Sequence, residues 1–178
     1  GAPVRVFGFE AIFNATTNFI MDALGEGRSF EDALAQVQAE GYAEADPSHD
    51  IDGVDAACKT AALANVAMAA HITPAHIPRE SVRGVTPERV RTAQEAGRRL
   101  CVLCAARRRA DGSVEAAVRL TELPLGHPLA PIRGSSLGLL LHTDLMGDVV
   151  IAELAGLVPQ TAYAIYADLL ALRAPASG

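Results

Sequence analysis

The chain has 178 residues, of which half are hydrophobic and only 4% aromatic, with a net charge of −6 and an isoelectric point near 5.3. This length predicts one domain over residues 1–178, with a core built mainly of Ala, Leu, Val and Ile. The acidic charge argues against a nucleic-acid-binding surface, and no apolar run reaches the roughly 18 residues that span a bilayer. The N-terminal segment does not resemble a signal peptide, so we expect a soluble, cytoplasmic protein that does not bind a membrane.

Hydrophobic periodicity and capping residues predict helices in the first half of the chain and strands in most of the second. Because strands and helices are partly segregated, we expect an α+β fold with a mixed, largely antiparallel sheet and helices on one face. The predicted strands carry apolar residues on both faces, so a second copy of the chain is expected to cover the other face as a homodimer. In chain order the predicted elements are a strand at 3–13, helices at 14–24, 29–41, 54–70 and 87–97, strands at 100–106, 114–120, 136–143 and 148–154, and a helix from 161 to about 172.

An acidic stretch at residues 41–59 ends in Lys59, the only lysine in the chain. Lysine, unlike arginine, can donate and accept protons when its surroundings bring its pKa toward neutrality. If a helix begins near Asp52, Asp55 and Lys59 lie on one face at i, i+4 and can pair. The alternative interpretation is an exposed helix ion pair beside a solvated acidic loop, since structural ion pairs are common. The carboxylates of the stretch are Glu44, Asp46, Asp50, Asp52 and Asp55.

The three cysteines favour a reducing compartment. Cys101 and Cys104 form a C-x-x-C sequence, but their odd spacing places the two sulfur atoms on opposite faces of a strand. We interpret them as buried and inert. His71 and His76 lie in a proline-containing loop, residues 71–85, without an obvious third ligand, so no metal site is assigned.

Known nucleotide-binding and hydrolase motifs are missing from the sequence. The glycines are isolated and do not form the G-x-G-x-x-G fingerprint of a dinucleotide-binding strand and helix. There is also no P-loop and no G-x-S-x-G nucleophile elbow. The chain is therefore not expected to bind NAD or NADP by itself.

Four segments together resemble one enzyme family. Residues 14–20 read NATTNFI and resemble the NGTTNYI segment of homoserine dehydrogenases. Residues 41–59 read GYAEADPSHDIDGVDAACK and are similar to the family signature GYAEADPxxDxxGxDxxxK. Residues 126–130, GHPLA, and residues 161–170 look like later landmarks of the family. The resemblance covers nearly the whole chain but only the substrate and dimerisation half of such an enzyme, and the nucleotide-binding half that precedes it in the family is not found in this sequence.

The resemblance implies a part in the NAD(P)-dependent interconversion of homoserine and aspartate semialdehyde, on the route to threonine and methionine. It implies that Lys59 is the acid/base group that exchanges the proton of the substrate hydroxyl, and that Asp55 holds this lysine. It further implies that Glu44 binds the substrate ammonium. Three more residues are implied to line the amino-acid pocket, namely Thr16, Tyr42 and Asp50.

Departures from the family pattern lie mainly where the cofactor would bind. Ala15 replaces a glycine of the family, and Ser135 and Ser136 stand near the position of an asparagine. Glu153 and Leu154 occupy a stretch that is glycine-rich in the family, where they would crowd and repel a cofactor. NAD(P) is thus implied by resemblance only.

Three interpretations remain open for the chain. The first is the substrate domain of a homoserine-dehydrogenase-like enzyme, split or truncated from its nucleotide-binding part, which a separate subunit would then supply. The second is a non-catalytic amino-acid-binding or regulatory module that has lost cofactor binding. The third is a dimerisation domain without a ligand.

Overall fold

Five strands and five α-helices make up the part of the chain that the structure describes. The computed structural model describes residues 4–155, together with Tyr163 and Tyr166. The predicted C-terminal helix, residues 161–172, therefore lies outside the described residues apart from these two tyrosines. The elements are β1 Val6–Ile12, α1 Ala15–Gly25, α2 Phe30–Ala39, α3 Ser48–Ile51, α4 Val54–Met68, α5 Pro87–Glu95, β2 Arg98–Arg108, β3 Val114–Pro124, β4 Leu137–Thr143 and β5 Gly147–Glu153.

The helices of the first half begin where the capping residues predict. The side chains of Asn14, Ser29 and Thr86 each accept a hydrogen bond from a backbone N–H in the first turn of the helix that follows. Such bonds satisfy donors that have no partner within the helix. Two features were not predicted: the single turn of α3 within the acidic loop, and a 3₁₀ turn at Pro74–His76.

The strands form one sheet in the order β3-β2-β1-β4-β5, and every neighbouring pair is antiparallel. This confirms the predicted α+β class and the antiparallel character of the sheet. β2 and β3 are longer than predicted because pairing continues from Arg98 opposite Pro124 to Arg108 opposite Val114. The charged residues at these strand ends interrupt the apolar pattern from which a strand is predicted.

Helices α1, α4 and α5 pack on one face of the sheet, over β1, β2 and β3. The main core lies between these layers. It includes Phe9 of β1, Val118 of β3 and, on α1, Ile20 and Leu24, all at most 1% exposed. The predicted single helical layer is confirmed.

The opposite face of the sheet is partly covered by the chain itself. Residues 125–134, which we call the covering segment, follow β3 and fold back over this face. Its Leu129 and Ile132 join a second buried cluster with Leu103 and Leu140. Gly138 of β4 makes this possible, since a Cβ atom there would lie 2.7 Å from Ile132. The surface that the predicted second copy would cover is therefore limited to the rest of this face.

The two cysteines of the C-x-x-C sequence are buried on opposite faces of the sheet. Cys104 belongs to the main core and Cys101 to the cluster under the covering segment. Burial raises the pKa of each thiol to about 11. Both sulfurs are thus held in the unreactive thiol form at neutral pH, whereas Cys58 is exposed.

Candidate functional site

The beginning of α4 is fixed by Gly53 and Asp52. Gly53 has a left-handed backbone (φ 72°), and a Cβ atom there would lie 3.2 Å from the carbonyl oxygen of Glu80; glycine avoids both problems. The Asp52 carboxylate accepts hydrogen bonds from Arg83 Nε (2.7 Å) and Ser81 Oγ (2.9 Å). The hydrogen bond from Arg83 lowers the pKa of Asp52. These contacts hold the first turn of α4 against the loop that precedes α5.

Asp55 and Lys59 form the ion pair that their spacing predicts. Lys59 Nζ lies 2.8 Å from Asp55 Oδ2, one turn earlier in α4. The same Nζ also donates to the carbonyl oxygen of Phe13 (3.2 Å), just after the end of β1. The Lys59 side chain is 50% exposed and that of Asp55 30%. The ammonium group is thus held by two acceptors and can still be reached from solvent.

Asn14 joins this group, although the sequence marks it only as a helix cap. Its Nδ2 donates to Asp50 Oδ1 (2.7 Å) and to Asp55 Oδ2 (3.0 Å). Its Oδ1 accepts from the backbone N–H of Thr17 (2.8 Å), so one side chain caps α1 and contacts two carboxylates. Asn14 is only 6% exposed. The structure therefore brings together Asn14, Asp50, Asp55 and Lys59, which we call the α4 polar group.

Between residues 4 and 155, no hydrogen bond or ion pair joins the other predicted site residues to this group. Thr16 donates its hydroxyl to the carbonyl oxygen of Tyr42 (3.0 Å) and is 2% exposed, so this bond ties α1 to the loop after α2. The Tyr42 ring stacks on Phe19, with 6.4 Å between ring centres. Glu44 is exposed, and within residues 4–155 no hydrogen bond or ion pair joins its carboxylate to the α4 polar group. Its side chain is therefore available to a ligand.

Arg99 is a second polar residue that sequence reasoning missed. It is 3% exposed and donates to the carbonyl oxygens of Leu129 (3.4 Å) and Ala130 (3.3 Å) in the covering segment. It also donates to Asn18 Oδ1 and lies 3.4 Å from Asp22 Oδ1, both on α1. Burial lowers the pKa of the Arg99 guanidinium, and the Asp22 charge opposes that change. Arg99 thus connects β2, α1 and the covering segment.

The described part of the chain contains neither a cluster of metal-ligating side chains nor a helix suited to a membrane. Between residues 4 and 155, no group of three or more His, Cys, Asp or Glu side chains is arranged to hold a metal ion. None of the helices given above is long and apolar enough to cross a membrane.

Comparison with known proteins identifies the family. The family model described as homoserine dehydrogenase matches residues 2–170. The chain belongs to the homoserine dehydrogenase family. It is 33% identical over 165 residues to the NAD(+)-dependent homoserine dehydrogenase of Pseudomonas canavaninivorans, covering 93% of this chain and 47% of that protein. It is 36% identical over 173 residues to the homoserine dehydrogenase of Mycobacterium tuberculosis, covering 94% and 38%.

Solved structures of homoserine dehydrogenases share the fold of this family member. The enzyme from Thiobacillus denitrificans superposes with a TM-score of 0.86 at 34% identity, over 93% of this chain and 38% of that one. The enzyme from S. aureus at pH 6.5 gives a TM-score of 0.86 at 28% identity, over 97% and 44%. The chain therefore spans less than half the length of these homoserine dehydrogenases.

The positions expected to depart from the family pattern lie in two places. Ala15 is the first residue of α1, next to the α4 polar group. Glu153 and Leu154, at and after the end of β5, are both exposed. Close to them, the backbone N–H of Ala155 donates to Ser136 Oγ (3.0 Å), so these two stretches are neighbours.

Proposed function

We propose that this chain is the substrate-binding and proton-transfer part of an NAD(P)-dependent homoserine dehydrogenase, which interconverts homoserine and aspartate semialdehyde. The observation that carries the proposal is the arrangement around Lys59. Lys59, the only lysine of the chain, lies 2.8 Å from the carboxylate of Asp55 and remains half exposed. Through Asp55 it is connected to Asn14, and through Asn14 to Asp50. A proton-transfer group needs to be held in place and also to be within reach of its substrate.

The hydrogen-bonding capacity of Lys59 supports this role. An ammonium group has three N–H donors, and Asp55 Oδ2 and the Phe13 carbonyl accept two of them. The third is available to the substrate oxygen. In the oxidation direction Lys59 would take the hydroxyl proton while the carbon-bound hydrogen leaves as hydride to an NAD(P)+ held outside this chain. In the reverse direction the reduced nicotinamide would supply the hydride and Lys59 would donate the proton to the carbonyl oxygen. Glu44 provides the counter-charge for the substrate ammonium, with Thr16, Tyr42 and Asp50 around it.

The residues of this chain do not fit the cofactor as well as they fit the substrate. The sequence contains no dinucleotide fingerprint, and the exposed carboxylate of Glu153 would repel a phosphate. We therefore assign NAD(P) binding to a nucleotide-binding part outside this chain. That part would also cover the half-exposed α4 polar group, since proton transfer in enzymes takes place in sites that exclude water.

Thermal unfolding with added amino acids tests the substrate assignment. Homoserine should raise the melting temperature of the wild type, because a ligand that binds only the folded state stabilises it by mass action. Glu44→Ala should abolish the shift, whereas Lys59→Ala should keep most of it, because Lys59 moves a proton and does not anchor the ligand. Glu40→Ala, which removes another exposed carboxylate at the end of α2, is the matched control and should behave like the wild type. No shift with homoserine in any variant would reject the substrate assignment.

A non-catalytic amino-acid-binding or regulatory dimerisation module is the second candidate, and the exposed Glu153 and Leu154 favour it. A neighbouring gene that encodes a Rossmann-type protein would favour the enzyme instead. Mixing the two proteins and measuring homoserine-dependent reduction of NAD(P) separates the candidates. Turnover is expected only if the chain is part of an enzyme, and only when Lys59 is present.

A further inference from the structure

The carboxamide of Asn14 connects groups that are distant in sequence. Each of its two N–H groups faces a different carboxylate, Asp50 at 2.7 Å and Asp55 at 3.0 Å. Asp50 belongs to α3 and Asp55 to α4. With Oδ1 engaged by the N–H of Thr17, both donors and one of the two acceptor lone pairs of the amide are directed at the protein. At 6% exposure, this side chain does not turn toward solvent.

Residues 13 and 14 together hold the Lys59–Asp55 pair from two sides. Asn14 Nδ2 and Lys59 Nζ donate to the same oxygen, Asp55 Oδ2, at 3.0 Å and 2.8 Å. The carbonyl oxygen of Phe13 accepts the second hydrogen bond of Lys59 at 3.2 Å. An exposed i, i+4 ion pair without such support is weak, because two long side chains lose rotational freedom to form it. The pair needs a rigid third group if its geometry is to persist.

We propose that Asn14 is the positioning residue of the proton-transfer site: it fixes the Asp55 carboxylate, and Asp55 in turn fixes the ammonium group of Lys59. The proposal rests on the proposed function for its catalytic meaning, but the contacts themselves exist without substrate. Asn14 is suited to the task because it is neutral. A charged donor would compete with Lys59 for Asp55, and a third carboxylate would repel both neighbours.

The helix cap and the carboxylate contacts of Asn14 can be separated by substitution. Serine is also a good N-cap residue, so Asn14→Ser keeps an acceptor for the first turn of α1. Its single short hydroxyl cannot reach both Asp50 and Asp55. Ser29→Ala is the matched control, since it removes the cap of α2 at an exposed position outside the α4 polar group.

The single lysine makes the test direct. In protein labelled with ¹⁵N, the side-chain ammonium signal arises from Lys59 alone. We expect the wild type to show a resonance displaced from that of free lysine, with hydrogen exchange slowed by the two acceptors. Asn14→Ser should move this resonance toward free lysine and speed its exchange several-fold while circular dichroism is unchanged. Ser29→Ala should lower the melting temperature and leave the resonance in place.

An unchanged resonance in folded Asn14→Ser would overturn the proposal. If that variant does not fold, the wild type decides alone, because a fully averaged lysine signal at the position of free lysine would also overturn it. The outcome is independent of the homoserine experiment. A moved resonance with no homoserine-induced melting shift would reject the proposed function and leave the positioning of Lys59 by Asn14 standing. An unmoved resonance together with a homoserine-induced melting shift would reject only the positioning of Lys59 by Asn14.

Discussion

Lys59 combines two properties that are usually found apart. Its side chain is half exposed, as surface lysines are, yet its nitrogen makes two hydrogen bonds of 2.8 and 3.2 Å. Fixing a long side chain costs rotational freedom. A lysine that moves freely at the surface would therefore not keep hydrogen bonds to both acceptors. The supporting groups are Phe13 and Asn14, between β1 and α1, and Asp55 of α4. The position of the ammonium therefore depends on how these three elements pack.

The three cysteines should differ sharply in reactivity. Cys101 and Cys104 are buried, with pKa values raised to about 11 by burial, while Cys58 is exposed. Because the thiolate is the reactive form, a disulfide reagent at pH 8 should label one thiol per folded chain and all three in denaturant. The Cys58→Ser variant should show no fast labelling when folded. Rapid labelling of a second thiol in the folded wild type would show that the core is more open than described.

At the scale of elements, α1 connects the two halves of the fold. Its cap, Asn14, contacts the carboxylates of α3 and α4, and Asn18 one turn later accepts from Arg99 of β2. Asn18 also donates to the carbonyl oxygen of Gly134 (2.8 Å) at the end of the covering segment. A shift of α1 would therefore disturb the α4 polar group and the covering segment together.

Removing Arg99 should be costly. Arg99→Ala would take the buried donor away from Asn18 Oδ1 and from the carbonyl oxygen of Ala130, while the Leu129 carbonyl oxygen keeps the N–H of Ile132. We therefore expect the unfolding free energy to fall by about 3 kcal/mol. Arg98→Ala is the control. Arg98 is exposed, and among residues 4–155 its side chain donates only to the carbonyl oxygen of Glu122 at 3.3 Å. This substitution should therefore change the unfolding free energy by about 0.5 kcal/mol or less. Urea unfolding of both variants measures the difference. Equal losses would mean that Arg99 does not hold the covering segment.

The sequence predicted what depends on local pattern and missed what depends on long-range contact. The N-cap residues and the i, i+4 spacing of Asp55 and Lys59 act within one turn, so both could be predicted. The contact of Asn14 with Asp55 spans 41 residues and leaves no periodic signal. The covering segment has no regular structure, and only Gly138, which makes room for Ile132, indicates its position.

At the scale of the whole molecule, two surfaces remain uncovered in the described part of the chain. One is the half-exposed α4 polar group. The other is the part of the second sheet face beyond the covering segment, which includes Ala105 and Ala117, both partly buried, with the exposed Phe7 and Val150 near its edge. Since the chain spans less than half the length of the homoserine dehydrogenases it matches, both surfaces are candidates for contact with other parts of an assembly.

We expect the second sheet face to form a homodimer. The wild type should sediment as a dimer at about tens of micromolar, an ordinary range for specific association. Ala117→Glu should give a folded monomer, because it places a charge on the uncovered part of that face. Val66→Glu is the control: Val66 is exposed on α4, on the helical side, and its variant should remain a dimer. A monomeric wild type, or loss of the dimer in both variants, would contradict this interface.

The central claim is that Lys59 faces the hydroxyl of an amino-acid substrate, and titration of the Lys59 ammonium resonance tests it most directly. Norvaline matches homoserine except that a methyl group replaces the hydroxyl, so both ligands can reach Glu44 but only homoserine can hydrogen-bond to Lys59. We predict that homoserine moves the resonance, that norvaline moves it much less, and that Glu44→Ala removes the response to both. A resonance that stays unmoved in saturating homoserine, or that moves equally with both ligands, would contradict the assignment of Lys59 as the proton-transfer group.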